Sequence, residues 1–66
     1  MRTMIALHAV STEQAHLMSR RIADVCFHIN RNDFCMIETD DDGTWCCVYT
    51  HDPLDMVNTL EEEGFL

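Results

Sequence analysis

Cysteine, histidine and carboxylate side chains are frequent in this sequence, and together they could bind a metal ion. Zinc modules usually supply paired ligands such as Cys-x-x-Cys, so that one turn presents two thiolates. No such pair occurs here, because Cys46 and Cys47 are adjacent and would point to opposite faces of a strand. A site formed by Cys35, Cys47 and a histidine is the minor alternative. We expect no metal and no cofactor.

The segment 38–43, Glu-Thr-Asp-Asp-Asp-Gly, partly resembles the start of a calcium-binding loop. The twelfth position of such a loop would be Tyr49, where calcium requires a bidentate glutamate. Asp and Gly favour tight turns, and Gly43 can supply a positive φ. The segment therefore predicts an acidic hairpin turn.

Nucleophilic catalysis requires a Cys or Ser beside a base and an oxyanion hole. Cys26 and His28 are two residues apart on a predicted helix, so they do not face each other. His8 precedes Ser11 closely, but nothing marks a third partner. The two glycines are well apart and form no phosphate-binding loop. We therefore expect a protein that is not an enzyme.

Charge is distributed unevenly along the chain, whose net charge is −8. Residues 1–31 hold four arginines and two acids, whereas residues 32–66 hold ten acids and no base. The acidic half would repel nucleic-acid phosphates, so direct nucleic-acid binding is not expected. It would attract basic surfaces and accelerate encounter with them.

Three acidic clusters are candidates for such an encounter. Those at the predicted turn and at the start of the second helix have local explanations, because turns and N-caps favour Asp. The cluster 61–63 opposes the helix dipole, which indicates a function other than stability. Two aromatic side chains could add apolar contacts. The predicted partner-binding residues are Asp40, Asp41, Asp42, Asp52, Asp55, Glu61, Glu62, Glu63, Trp45 and Tyr49.

Hydrophobic periodicity predicts a strand over Thr3–Val10 and then a helix. Both faces of the strand are apolar, which is typical of a central strand covered on each side. Ser11 fits the helix N-cap, and Gln14 could complete a capping box. The helix is expected to end near Asn30. Its apolar stripe consists of Ala15, Met18, Ile22, Val25 and Ile29.

Two strands, 34–39 and 44–50, flank the acidic turn. Pairing of Asp40 with Thr44 would set Cys35 opposite Tyr49, Met36 opposite Val48, Ile37 opposite Cys47 and Thr39 opposite Trp45. A second helix follows, with Asp52 as N-cap, Pro53 first and Asp55 in the first turn. Its predicted apolar side is Leu54, Met56, Val57 and Leu60, and Gly64 ends it before Phe65 and Leu66.

The resulting β-α-β-β-α order predicts one α+β domain over residues 1–66, with a small antiparallel or mixed sheet. It is similar to a ferredoxin-like βαββαβ unit that lacks a full last strand. Such a unit would leave a sheet edge open to a second copy or to a partner.

In size, acidity and lack of motif, the chain resembles small inhibitors carried by phages and mobile elements, such as nucleic-acid mimics, anti-restriction proteins and anti-CRISPR proteins. This resemblance implies an inhibitor that docks on the basic, nucleic-acid-binding surface of a partner protein in the host cytoplasm. The alternative is a non-catalytic accessory subunit that self-associates through its open sheet edge. We expect neither a signal peptide nor a membrane span, and we expect reduced cysteines.

Overall fold

Residues 1–27 and 32–66 are described by the computed structural model, and they form a three-stranded sheet with two helices. The elements are β1 (Thr3–Ala9), α1 (Thr12–Cys26), β2 (Phe34–Asp40), β3 (Gly43–Thr50) and α2 (Pro53–Glu62). The predicted α+β class and the β-α-β-β-α order are confirmed. No helix in these two ranges is long and apolar enough to cross a membrane.

The strand order is β1-β3-β2, and both outer strands run antiparallel to β3. β1 and β2 are therefore parallel to each other with β3 between them, as in a split β-α-β unit. The prediction that β1 is a central strand covered on both faces was wrong. β1 is an edge strand, and its Met4, Ala6 and His8 are exposed because the helices pack on the other face.

The hairpin between β2 and β3 is tighter than predicted. Asp40 pairs with Gly43 instead of Thr44, so the turn contains only Asp41 and Asp42. The Oδ1 atom of Asp40 accepts hydrogen bonds from the backbone N–H of Asp42 (2.9 Å) and of Gly43 (3.1 Å). These two hydrogen bonds hold the short turn in place. Gly43, the first residue after the turn, takes the predicted positive φ, +142°.

A register shift of one residue moves side chains to the opposite face of a sheet. The observed pairs are Phe34–Tyr49, Cys35–Val48, Met36–Cys47, Ile37–Cys46, Glu38–Trp45 and Thr39–Thr44. The predicted pairs Cys35–Tyr49, Met36–Val48, Ile37–Cys47 and Thr39–Trp45 were therefore wrong. The observed register is the one that points the β2 side chains Cys35 and Ile37 toward the helices.

The N-terminus of α1 has the predicted cap. Ser11 Oγ accepts a hydrogen bond from the Gln14 N–H at 3.1 Å. Gln14 Oε1 in turn accepts a hydrogen bond from the Val10 N–H at 2.6 Å. In a capping box this oxygen would bind the N–H of the cap residue, Ser11, so the contact lies one residue earlier than predicted. The reciprocal contact therefore ties the end of β1 to the first turn of α1.

α1 ends earlier than predicted. Cys26 is its last residue, and Phe27 is extended with φ −96° and ψ 94°, so the predicted end near Asn30 was wrong. Ile29 and Asn30 lie outside the described residues. Phe27 is not part of the predicted apolar stripe, yet its half-buried side chain packs against the core from beyond the end of the helix.

α2 begins and ends as predicted. Asp52 Oδ1 accepts from the Asp55 N–H at 3.3 Å, and Pro53 is the first helical residue. At the other end, Gly64 has φ +83°, and the Phe65 N–H donates to the Leu60 carbonyl at 2.8 Å. These two features form the Schellman motif that ends many helices.

Only part of the predicted apolar side of α2 reaches the core. Met56 and Leu60 are fully buried and Val57 is half-buried, but Leu54 is 80% exposed, which corrects its assignment. Leu54 and the buried Met56 are two residues apart, which is about 200° around an α-helix, so the two side chains point in nearly opposite directions. The core lies between one sheet face and the helices and comprises Leu7, Ile22, Cys26, Cys46, Val48, Met56 and Leu60. Burying one such aliphatic side chain contributes about 1.5 to 3 kcal/mol.

Thr50 is a fully buried polar residue at the end of β3. Its Oγ1 donates to Asp33 Oδ2 at 3.0 Å and accepts from the Asp52 N–H at 3.1 Å. Asp33 Oδ1 also accepts from the His51 N–H at 3.4 Å. One hydroxyl thus connects the entry to β2, the end of β3 and the start of α2.

Candidate partner-binding face

The sheet face opposite the helices is the candidate site, and we call it the open face. Side chains alternate between the two faces of a strand, so each strand contributes every second residue. The open face consists of Met4, Ala6 and His8 from β1, Trp45, Cys47 and Tyr49 from β3, and Phe34, Met36, Glu38 and Asp40 from β2. In residues 1–27 and 32–66 both helices pack on the other face, and Met4 (47% exposed) and Met36 (53%) point to solvent.

Aromatic pairs occupy both ends of the open face. Trp45 meets His8 edge to face, with ring centroids 4.9 Å apart. Tyr49 stacks on Phe34 at 4.9 Å with an interplanar angle of 14°. The Arg2 guanidinium lies 5.1 Å from the Phe34 ring centroid, within cation–π range. Such aromatic pairs contribute about 0.5 to 1.5 kcal/mol beyond the burial of their surface, so they fix the shape of this face.

Cys47 lies in the centre of the open face and is only 3% exposed. Burial, and then the hydrogen bond and charge of Glu38, raise the pKa of the Cys47 thiol to about 11. The Tyr49 hydroxyl donates to Glu38 Oε2 at 3.2 Å. Desolvation, followed by Glu38, also raises the pKa of Tyr49. Both groups are therefore protonated at neutral pH, and both form hydrogen bonds with the Glu38 side chain.

A shallow pocket of about 200 Å³ opens at the acidic end of the open face. Its walls come from all three strands: Met4, Ala6, Glu38, Asp40, Trp45 and Cys47. Two carboxylates from β2 stand on one side, and the floor is apolar. The pocket therefore combines a negative rim with an indole ring and aliphatic surface.

The predicted acidic residues separate into different places. Asp40, Asp41 and Asp42 lie at the hairpin, beside Trp45 and the pocket. Asp52 and Asp55 lie beyond the far end of the eight-residue β3, about 25 Å away at about 3.3 Å per residue. The structure therefore places Asp40 on the open face and Asp41 and Asp42 in the adjoining turn, and it leaves the acids of α2 at a distance from that end.

The third cluster lies at the end of α2, in the helical layer. Glu61, Glu62 and Glu63 are exposed, and no basic residue occupies the last turn of this helix. Tyr49, the other predicted aromatic residue, is two positions along β3 beyond Cys47 and contacts Phe34 instead of the acids of the hairpin tip. The ten predicted residues thus do not form one patch.

The cysteines do not form the metal site considered from the sequence. Cys35 points to the helices and Cys47 to the open face, so the combination of these two thiols was wrong. A hydrogen bond to Cys46 and burial raise the pKa of the Cys35 thiol. Across residues 1–27 and 32–66, no three His, Cys, Asp or Glu side chains are grouped to hold a metal ion.

A second surface depression lies on α1, away from the open face. It has a volume of about 560 Å³ and is lined by Gln14, Leu17, Met18, Arg20, Arg21, Asp24 and Phe65. The Arg21 guanidinium lies 5.6 Å from the Phe65 ring centroid. The C-terminal aromatic residue thereby docks against α1 and covers part of its surface.

Sequence reasoning missed several residues of the open face, notably His8, Phe34, Met36 and Glu38. The neighbours of the three β2 residues depend on the hairpin register, and the predicted register placed Trp45 beside Thr39 instead of Glu38. An Asp that starts a turn can bond to the N–H two residues later and shorten the loop, and this rule applied to Asp40 places the three β2 residues on the face of Trp45. His8 is different, because its position beside Trp45 depends on the pairing of β1 with β3.

No family model, curated protein or solved structure matches this chain. The chemistry of the open face and of the exposed carboxylates is therefore the basis for a functional proposal.

Proposed function

We propose that this protein is a small acidic inhibitor that docks on a basic, nucleic-acid-binding surface of a partner protein. The observation that carries the proposal is a set of exposed carboxylates, at the hairpin tip and at the end of α2, together with a largely apolar sheet face that neither described helix covers. Such a protein would occupy the sites that normally hold phosphates and would keep nucleic acid out.

The acidic residues of the C-terminal half fall into two groups, those that accept hydrogen bonds within the fold and those that mainly carry charge. Asp33, Asp40 and Asp52 accept hydrogen bonds that order a turn, a strand end and a helix N-terminus. Replacing such residues would cost stability. The exposed hairpin residues Asp41 and Asp42 carry charge without a comparable role as acceptors in the turn.

Glu61, Glu62 and Glu63 carry the stronger argument. They are exposed at the C-terminal end of α2, where the helix dipole is negative, and no basic residue offsets them in that turn. Each unfavourable charge costs a few tenths of a kcal/mol, by order of magnitude. A sequence shaped by stability alone would place Lys or Arg there, so a basic partner is the natural explanation.

The open face can supply the aromatic and apolar contacts that the exposed carboxylates do not. Rim charges mainly accelerate encounter, whereas aromatic side chains in a packed patch hold the complex together. Trp45 and Tyr49 are both half-buried on this face, with partly fixed orientations. Fixed aromatic residues lose little conformational entropy on binding, which favours specific recognition. The protonated Cys47 thiol at the centre favours binding over nucleophilic catalysis.

The test is a pull-down with the tagged protein at low and high salt, read by mass spectrometry. The charge variant changes Asp41 and Asp42 to Asn and residues 61–63 to Gln, which leaves Asp40 and Asp52 to support the fold. The control changes Glu13→Gln and Asp24→Asn, two acids of α1, and so removes negative charge away from the proposed surface. Each captured protein is then purified, and its binding to nucleic acid is measured with and without this protein.

The expected result is a basic protein that wild type and control capture at low salt, that the charge variant loses, and that releases nucleic acid when wild type is added. Equal capture by the charge variant, or capture without any effect on nucleic-acid binding, would contradict the proposal.

A second candidate function has its own observation. β1 pairs with β3 on one side only, and its outer edge has no strand partner among the described residues. Such an edge can pair with a second copy, as in an accessory subunit that dimerises. Sedimentation velocity distinguishes the two functions. A dimer that persists at high salt favours the subunit, and a monomer at all salt concentrations rejects it.

A further inference from the structure

The pocket beside Trp45 has a composition that fits one kind of side chain. Its volume of about 200 Å³ is smaller than the roughly 300 to 1,000 Å³ of typical small-molecule sites, so it suits a single side chain better than a larger ligand. The floor is formed by the apolar atoms of Met4, Ala6 and Cys47. An aliphatic stem could lie on this floor while its polar end stays at the rim.

The rim of the pocket is negative. Glu38 and Asp40 are two residues apart on β2 and therefore share a face, with Glu38 directly opposite Trp45. The donors that reach these carboxylates in the described part of the chain are neutral, namely backbone N–H groups, the Tyr49 hydroxyl, the Cys47 thiol and the Trp45 indole N–H at 3.5 Å. A cation entering the pocket would therefore meet two carboxylates whose charge these neutral donors do not cancel.

Arginine suits the apolar floor, the two carboxylates of the rim and the indole ring of Trp45 better than lysine does. Its planar guanidinium can donate two parallel hydrogen bonds to a carboxylate and can stack on an indole ring. The cation–π contact with a Trp contributes about 0.5 to 2 kcal/mol, depending on desolvation. The compact ammonium of lysine is more strongly hydrated and cannot bind in a fork.

We propose that the pocket formed by Met4, Ala6, Glu38, Asp40, Trp45 and Cys47 takes an arginine side chain of the partner protein. This inference rests on the proposed function, because it names the chemistry by which the basic partner is held. The arginine stem would lie on Ala6 and Cys47, and its guanidinium would bridge Glu38 and the face of Trp45. The partner would thus be recognised by an exposed arginine that normally contacts a phosphate.

Trp45 makes the inference directly measurable, because it is the single tryptophan of the chain and lines the pocket. The probe is a short Gly/Ser peptide with one arginine, compared with the same peptide carrying lysine or the neutral isostere citrulline. Trp45 fluorescence is recorded as each peptide is added to the intact protein. We expect a saturable change with the arginine peptide, a severalfold weaker one with lysine and none with citrulline.

Two variants and one matched control locate the binding. Glu38→Gln removes a carboxylate from the rim, and Ala6→Leu fills the floor without changing charge. Asp41→Asn removes the same unit of charge from the exposed hairpin tip. Each pocket variant should weaken arginine binding about tenfold, which corresponds to about 1.4 kcal/mol, and the tip variant less than about twofold. Circular dichroism spectra matching wild type confirm that each variant is folded.

Several outcomes would overturn the inference. Equal binding of citrulline, equal binding of lysine, or equal weakening by Asp41→Asn and Glu38→Gln would each show that the pocket does not select arginine. A fluorescence change that depends on protein concentration alone would show that a second copy fills the pocket. If Ala6→Leu still captures the basic partner while the charge variant of the exposed acids does not, the inference fails and the proposed function stands.

Discussion

Replacement of Thr50 by valine tests the hydrogen bonds by which Thr50 joins the residue before β2 to the start of α2. The side chain is fully buried, and its hydroxyl donates to Asp33 at 3.0 Å and accepts from the Asp52 N–H at 3.1 Å. Valine keeps nearly the same shape and suits a strand, so packing and β-propensity change little. The substitution mainly removes two hydrogen bonds: the Asp52 N–H loses this acceptor, and the Asp33 carboxylate loses one donor while it keeps the bond from the His51 N–H.

The magnitude follows from the types of bond that are lost. A hydrogen bond to a carboxylate contributes about 1.5 to 3 kcal/mol, and one from a backbone N–H to a neutral acceptor about 0.5 to 1.5 kcal/mol. Asp33 is half-buried and Asp52 is exposed, so the sum lies near its lower end. We expect Thr50→Val to lower the free energy of unfolding by about 2 kcal/mol. For a domain of this size, that corresponds to a decrease in Tm of about 8 to 16 °C.

Urea unfolding followed by far-UV circular dichroism measures this loss, with two companion variants. Thr44→Val removes a hydroxyl that meets Thr39 Oγ1 at 3.4 Å in an exposed pair, and it should change stability by less than about 0.5 kcal/mol. Thr50→Ser keeps the hydroxyl and deletes a methyl group, which costs about 1 kcal/mol. If serine destabilises more than valine does, packing and not hydrogen bonding governs this site, and the reasoning is refuted.

Two other residues lead to separate predictions. The pKa of the Cys47 thiol rises from its usual 9.0 to about 11 through burial and Glu38, so its thiolate fraction at pH 8 is about a hundredfold lower than in the unfolded chain. Peptide-resolved alkylation with iodoacetamide should therefore be at least that much slower in the native protein, and a rate equal to that of the denatured protein would contradict it. Because the raised pKa favours the folded state only while the thiol stays protonated, this contribution is complete below pH 9 and is lost as pH rises from about 9 to 11. Gly64 has φ +83° and open space where a Cβ atom would stand, so Gly64→Ala should cost only the backbone strain, about 1 to 2 kcal/mol in urea unfolding. A loss below about 0.5 kcal/mol would mean that the Schellman turn relaxes without stability loss.

Local signals in the sequence predicted the helix ends that depend on nearby residues. Ser11 and Asp52 cap their helices as expected because an N-cap bond joins residues only three apart. Gly64 ends α2 because left-handed φ is a property of glycine itself. The end of α1 was missed because the apolar spacing continues to Ile29 in the sequence, and spacing alone does not show that the backbone becomes extended at Phe27.

The site was less predictable, because it depends on pairing between strands. A single residue in the length of the hairpin turn decides whether Trp45 faces Glu38 or Thr39. The role of β1 as an edge strand also escaped prediction, since apolar residues on both faces of a strand do not reveal which neighbours exist. Asp40 was predicted as a partner-binding residue from its charge alone. Its Oδ1 atom also orders the turn, and only the hydrogen bonds of the folded hairpin distinguish it from Asp41 and Asp42.

The β1-β3-β2 order has a consequence during synthesis. The chain makes β1 first, but Ala9 pairs with Thr44, which is 35 residues later. At about 5 to 20 residues per second, a ribosome needs roughly 2 to 7 s to supply that partner. β2 and β3, joined by a two-residue turn, can pair with each other as soon as both have emerged, whereas β1 must wait and then close a long loop. The first strand to be translated is therefore the last to join the sheet.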